Sequence, residues 1–193
     1  YKPVTICSIK SKKVFKGDRP AGLRCIDCEE WDECLESPFH RWFTRGLSDR
    51  VRPNEHKMCC FAVDTGNEDS GDAIIEYANG VKANYSQNFY SRRGSAVRRI
   101  RCIGHLGTLE FDWNSERLTV WMHHNSRVET HDCSSKGQGH GGGDDALIIN
   151  FCNCLLGRAE SLSPLSAGLR SALICILARE SARSRTFMDA TKV

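Results

Sequence analysis

The sequence predicts an α+β domain: one open, mostly antiparallel β-sheet with helices packed on one face and the other face bare. Three observations lead there. Six strand-like runs follow one another between residues 72 and 133, joined by short turns. Two helix-like runs follow between 144 and 186, and strands and helices never alternate as a parallel sheet would require.

Each element has its own signal. "YKPVTICSI" reads as a strand, and a Cys-rich segment over 7–60, punctuated by Gly17, Pro20 and Gly22, reads as irregular. Within it "SPFHRWFTRGL" predicts a short helix capped by Ser37, with Pro38 at its first position, where the missing N–H costs nothing. "AIIEYANGVKANYSQNF" splits at Asn79-Gly80, the pair suited to a two-residue type I′ hairpin. "AVRRIRCIG" and "GTLEFDWN" pair through Gly104 and Gly107, and "RLTVWMHH" and "SRVETHDC" complete the meander. Leu147, Ile148, Phe151, Cys152 and Leu155 recur at helical spacing, with Gly157 placed to end that helix in a left-handed conformation. A second helix starting at Ser163-Pro164 carries Leu165, Leu169, Leu173, Ile176 and Leu177 on one stripe. Cys102, Cys152 and Cys175 fall where core side chains are expected.

The formal charge of +3, from 27 basic and 24 acidic residues spread along the chain, calls for no nucleic-acid partner. The longest apolar stretch, Ala172 to Ala178, is far short of the roughly 20 residues of a membrane span. No apolar core with a cleavage site opens the chain, so a cytoplasmic location is expected. The first residue is Tyr1 rather than Met, which predicts a piece of something longer. Eleven cysteines fall below the roughly 8–10% that marks a disulfide scaffold.

"CIDCEEWDEC" is the first candidate for chemistry. Cys25 and Cys28 can set two thiolates at tetrahedral angles on Zn²⁺ and Cys34 can close in, but a structural site wants a fourth ligand. Cys59 or Cys60 is the expected fourth, with His40 and His56 behind; disulfide or free thiol is the competing reading. The arginines of "SRRGSAVRRIR" read either as a phosphate strip or as the solvated edges of a hairpin with its tip at Gly94-Ser95, and no aromatic stacking platform favours the former. His123 and His124 are adjacent and His131 stands on the next strand, so they are poorly placed to chelate together. "GQGHGGGDD" follows a polar stretch and lacks phosphate-loop spacing; Asp144 and Asp145 instead complement the positive end of the helix behind them, one of them as its cap.

Taken together, "CIDCEEWDEC", "IEYANG", "IGHLGTLEFDWN", "HGGGDD" and "LSPLSAGLRSALICILARESA", in that order, resemble the C-terminal domain of the Gfo/Idh/MocA oxidoreductases. The resemblance implies a single C-terminal substrate domain over 1–193, with the N-terminal Rossmann domain absent from this chain. It implies NAD or NADP in the full-length parent, a sugar, polyol or similar hydroxylated substrate, and a homo-oligomer through the open sheet face. The family's glycine-rich fingerprint, its E-K-P motif with the catalytic Lys and its D-x-x-x-H segment would all precede Tyr1, so no catalytic or cofactor-binding residue is expected here. By family position, Asp64 and the loop around His140 approach the substrate. The competing expectation is a non-enzymatic interaction module stapled by zinc through Cys25, Cys28, Cys34 and Cys59.

Overall fold

The computed structural model describes residues 1–40, 56–92, 95–134 and 142–192. The strands are β1 (Pro3–Ser11), β2 (Ser70–Tyr77), β3 (Lys82–Asn88), β4 (Arg99–Ile103), β5 (Gly107–Asp112), β6 (Arg117–Met122), β7 (Val128–Asp132) and β8 (Met188–Asp189); the helices are α1 (Gly143–Leu155) and α2 (Leu165–Ser184). All strand pairs are antiparallel, so the α+β class stands, but the expected six-strand meander is broken between β3 and β4, which do not pair. The strands sort into two four-stranded sheets, β3-β2-β1-β8 and β4-β5-β6-β7, rather than the one sheet expected. The chain divides accordingly into two compact units, Tyr1–Tyr90 with Leu173–Val193, and Ser91–Ala172.

In the first unit β1 pairs with β2 through Ile6↔Ile75, and these two side chains are buried with Leu177 and Ala190. Tyr77, Ala83, Leu173, Ile174, Ala178 and Met188 pack around them, so the C-terminal half of α2 covers this face. Burying such a cluster drives the unit together at roughly 25 cal/mol per Å² of apolar surface. Period-two alternation puts Ile9 and Ile74 on the opposite face, where they are 66% and 56% exposed.

The β2–β3 turn differs from expectation. Gly80 has φ +81°, but Asn79 is not among the positive-φ residues that a type I′ turn needs. Tyr77 and Val81 close the strands through the Tyr77 amide on the Val81 carbonyl (2.9 Å), and the Gly80 amide bonds the Tyr77 carbonyl (2.8 Å). The result is a three-residue loop with glycine in the left-handed position.

In the second unit, Ile100, Cys102, Leu109, Phe111, Leu118 and Val120 share one sheet face. α1 ends as expected: Gly157 has φ +66°, its amide bonds the Cys154 carbonyl (3.0 Å) and the Arg158 amide the Asn153 carbonyl (2.8 Å). Its start is not capped by an aspartate. The cap is Gly142 at φ 83°, with no side-chain capping bond, while Asp144 and Asp145 lie in the first turn and meet the dipole there.

Helical spacing was a sound guide to the helices and a poor one to burial. No α1 residue is buried, and Leu155 is 72% exposed. On α2, Leu177 is buried, whereas Leu165, Leu169 and Ile176 are exposed. Cys102, Cys152 and Cys175 are exposed too, so none is a core thiol.

Candidate functional site

Between β1 and β2 the described residues have little regular structure, and backbone bonds link 12–37 to 56–69. The Cys25 amide donates to the Lys57 carbonyl and the Cys59 amide to the Leu23 carbonyl, both at 2.8 Å, around an antiparallel bridge Arg24↔Met58. A parallel bridge Arg19↔Ala62 lies alongside, through Arg19 on Phe61 (3.0 Å) and Val63 on Arg19 (2.8 Å). A 3₁₀ turn over Cys25–Asp27 closes with the Cys28 amide on the Cys25 carbonyl (3.4 Å). The Cys34 amide then bonds the Glu30 carbonyl (2.9 Å), and Ser37 caps a helix starting at 38 by accepting the Phe39 amide (3.2 Å), as its sequence predicts. Arg24 pairs with Asp27 (2.6 Å) and Arg19 with Glu30 (2.5 Å).

These bonds bring distant cysteines into one neighbourhood. Burial pushes the Cys25 thiol above its usual range, and Cys59, Cys34 and Cys28 push it the same way. Burial also raises Cys60, to about 11, with Glu36, Cys59 and Cys34 adding to it. Cys59 is buried, and none of the eleven cysteines is in a disulfide. The raised Cys25 and Cys60 thiols stay protonated at neutral pH. Among the described residues, however, no three His, Cys, Asp or Glu side chains are gathered closely enough to hold a metal ion. The thiol donor set suits zinc chemically, but the side chains would have to rotate toward a common centre.

Asp64 lies at the end of the turn that starts at Cys59. Its Oδ2 accepts the Gly22 amide at 2.9 Å, and the side chain is exposed. His140, the other residue expected to approach the substrate, lies outside the described residues.

No sequence motif marked Asp69, which is 1% exposed immediately before β2. Its Oδ2 accepts the amides of Val14 (2.5 Å) and Phe15 (3.0 Å). Burial alone would raise this carboxyl, yet the amides of Val14, Phe15 and Lys13 and the Ser70 hydroxyl outweigh it and hold the group below the usual carboxylate range. Its partners lie some 55 residues back in the chain, beyond the reach of any local pattern.

On the second sheet the arginine strip is matched across strands. Arg99 meets Asp112 at 2.9 Å and Glu110 at 3.6 Å, Arg101 meets Glu110 at 3.9 Å, and Arg98 stands 5.9 Å from the Trp113 ring centroid. Gly94, the expected hairpin tip, is outside the described residues. His123 Nε2 sits 2.9 Å from Thr108 Oγ1 and His124 Nε2 3.2 Å from the His105 carbonyl, so the adjacent histidines engage different partners.

Residues 43–190 match the oxidoreductase family, C-terminal alpha/beta domain, of the Gfo/Idh/MocA group. The chain belongs to this family. The fold of the family domain recurs in solved structures that are 10–13% identical in sequence. An oxidoreductase domain protein from Kribbella flavida covers 97% of this chain with a TM-score of 0.67, at 10% identity, and the chain spans 46% of that protein. A levoglucosan dehydrogenase in complex with NADH and levoglucosan covers 100% with the same TM-score, at 13% identity and 46% of its length. An oxidoreductase from Agrobacterium radiobacter in complex with NAD⁺, L-tartaric acid and magnesium covers 99% at 0.61 and 13% identity, 44% of its own length. The chain thus spans less than half the length of each. No curated protein matches the sequence. No described helix is long and apolar enough to cross a membrane.

Proposed function

We propose that this chain is the substrate-binding and oligomerisation part of an oxidoreductase that transfers hydride between NAD or NADP and a sugar, polyol or similar hydroxylated small molecule. The family match over 43–190 carries the reading. The nicotinamide supplies the hydride chemistry, and the remainder of the protein supplies its binding site and the group that takes the hydroxyl proton. This chain's share is to hold the substrate's other hydroxyls in register. Asp64 is the acceptor we assign to that task, since the Gly22 amide on Oδ2 orients its carboxylate at an exposed loop end. A homo-oligomer through the bare face of the first sheet is supported by Ile9 and Ile74, exposed there opposite the core. Eleven cysteines without a disulfide suit a reducing compartment such as the cytoplasm.

We further propose zinc at Cys25, Cys28, Cys34 and Cys59. Three of these come from one short segment, and the Arg24↔Met58 bridge sets the fourth beside it. The test of the main reading is calorimetric: sugars, polyols and 2-hydroxy acids titrated into the complete protein with NADH or NADPH present. Saturable binding of a hydroxylated ligand supports it, and absence of binding with both nicotinamides counts against it.

A second reading, a non-enzymatic module stapled by zinc, is favoured by α1, whose Leu147, Ile148, Ile149, Phe151 and Leu155 are all exposed. A complete protein that binds neither nicotinamide but captures a partner through α1 would support it.

A further inference from the structure

On the second sheet, the face opposite Ile100 and Phe111 carries a row of charges that alternate in sign. Register places Arg99, Asp112, Arg117 and Asp132 side by side across β4, β5, β6 and β7, and period-two alternation puts all four on one face. The next row on that face is Arg101, Glu110, Thr119 and Thr130, and the one beyond it Ile103, Thr108, Trp121 and Val128. Arg99 meets Asp112 at 2.9 Å within the chain, while Arg117 and Asp132 are exposed. Ile103, Trp121 and Val128 are exposed at the other end of the face.

This order of signs is self-complementary. A two-fold axis parallel to the strands, lying in the interface midway between β5 and β6, reverses the strand order and leaves each row facing its own copy. Arg99 then opposes Asp132 of the second copy, and Asp112 opposes Arg117 of the second copy. Each contact occurs twice, and none brings like charges together. The same rotation sets Ile103 against Val128 and Trp121 against Thr108, joining the apolar ends. A two-fold across the strands would instead press the charged row onto the apolar one and strip water from unpaired charges.

We infer that this charged face of the second sheet is an interface between two copies of the chain, with Arg99 paired to Asp132 and Asp112 to Arg117 across a two-fold axis. It lies on a different sheet from the Ile9 and Ile74 surface proposed above and does not depend on it. Four short strands make a small interface held largely by exposed charge, so the association is weak and sensitive to salt.

The test is sedimentation velocity on the complete protein and its variants, each first shown to have the wild-type circular-dichroism spectrum. Arg99→Glu sets a carboxylate against Asp132, and Asp132→Lys sets an ammonium against Arg99. Each variant alone should weaken one association step at least about tenfold. Mixed in equal amounts, the two should associate again, because both outer contacts of the mixed pair are of opposite sign. Variants damaged in folding alone would not recover on mixing. Ile74→Asp, on the first sheet, should leave this step and its salt sensitivity intact. Association that survives both reversals but is lost in Ile74→Asp overturns the inference and leaves the first-sheet interface standing. Weakening without recovery on mixing overturns the pairing across the two-fold. A wild-type protein that stays monomeric overturns both interfaces.

Discussion

Ser181 Oγ accepts the Ser8 amide at 2.9 Å and donates to the Thr186 carbonyl at 2.6 Å, joining the first strand to the last helix across 173 residues of sequence. Ser181 is fully buried, so water cannot replace either bond. Ser181→Ala should strand both groups and cost about 1–3 kcal/mol. In thermal unfolding followed by circular dichroism, the midpoint should fall by roughly 2–4 °C per kcal/mol. An unchanged midpoint would show that the β1–α2 seam is held by the Ile6, Ile75 and Leu177 cluster alone.

Asp69 predicts an acid limit. Its folded carboxyl lies below the unfolded value of about 3.9, so its stabilisation is complete above that pH and fades as pH falls through the folded value. Denaturant midpoints should be flat from neutrality to about pH 5 with respect to this group and drop below about pH 4. Asp69→Asn should be less stable at neutral pH and lose less on acidification. A variant with the wild-type acid profile would remove Asp69 from the account.

Three glycines should respond differently to alanine. At Gly107 a Cβ would lie 2.7 Å from the Trp121 carbonyl oxygen, a backbone atom that moves only with the sheet, so Gly107→Ala should cost about 1–3 kcal/mol. Gly157→Ala meets no atom within 4 Å but sits at φ +66°, for a cost of about 1 kcal/mol. Gly168→Ala, inside α2 with open space around it, should gain up to about 1 kcal/mol. Urea unfolding of the three variants checks the order.

The strands and helices were legible because period and punctuation are local: alternation in β2 to β7, a closing glycine at Gly157, proline at Pro164 before α2. The division into two sheets was not, because no sequence pattern says which hairpin pairs with which. Burial was misread for the same reason. α1 carries an apolar helical repeat, but the structure around it leaves Leu147 and Leu155 exposed. The Asn79-Gly80 signal located its turn and missed the turn type, since Ala78 joins the loop and Asn79 keeps negative φ. At the candidate site, the Cys25–Cys28–Cys34 spacing was visible in the sequence, whereas the bonds tying Cys59 to Leu23 and Asp64 to Gly22 join positions some 36 to 42 residues apart.

The most direct measurement of the central claim is steady-state oxidation of a panel of sugars and polyols by the complete protein, with NAD⁺ and NADP⁺, for wild type and Asp64→Asn. The account predicts reduced nicotinamide with at least one hydroxylated substrate. With Asp64 in its proposed role, holding substrate without joining the chemistry, the variant should raise KM about tenfold and leave kcat nearly unchanged. No reduced nicotinamide with any substrate and either cofactor would contradict the account.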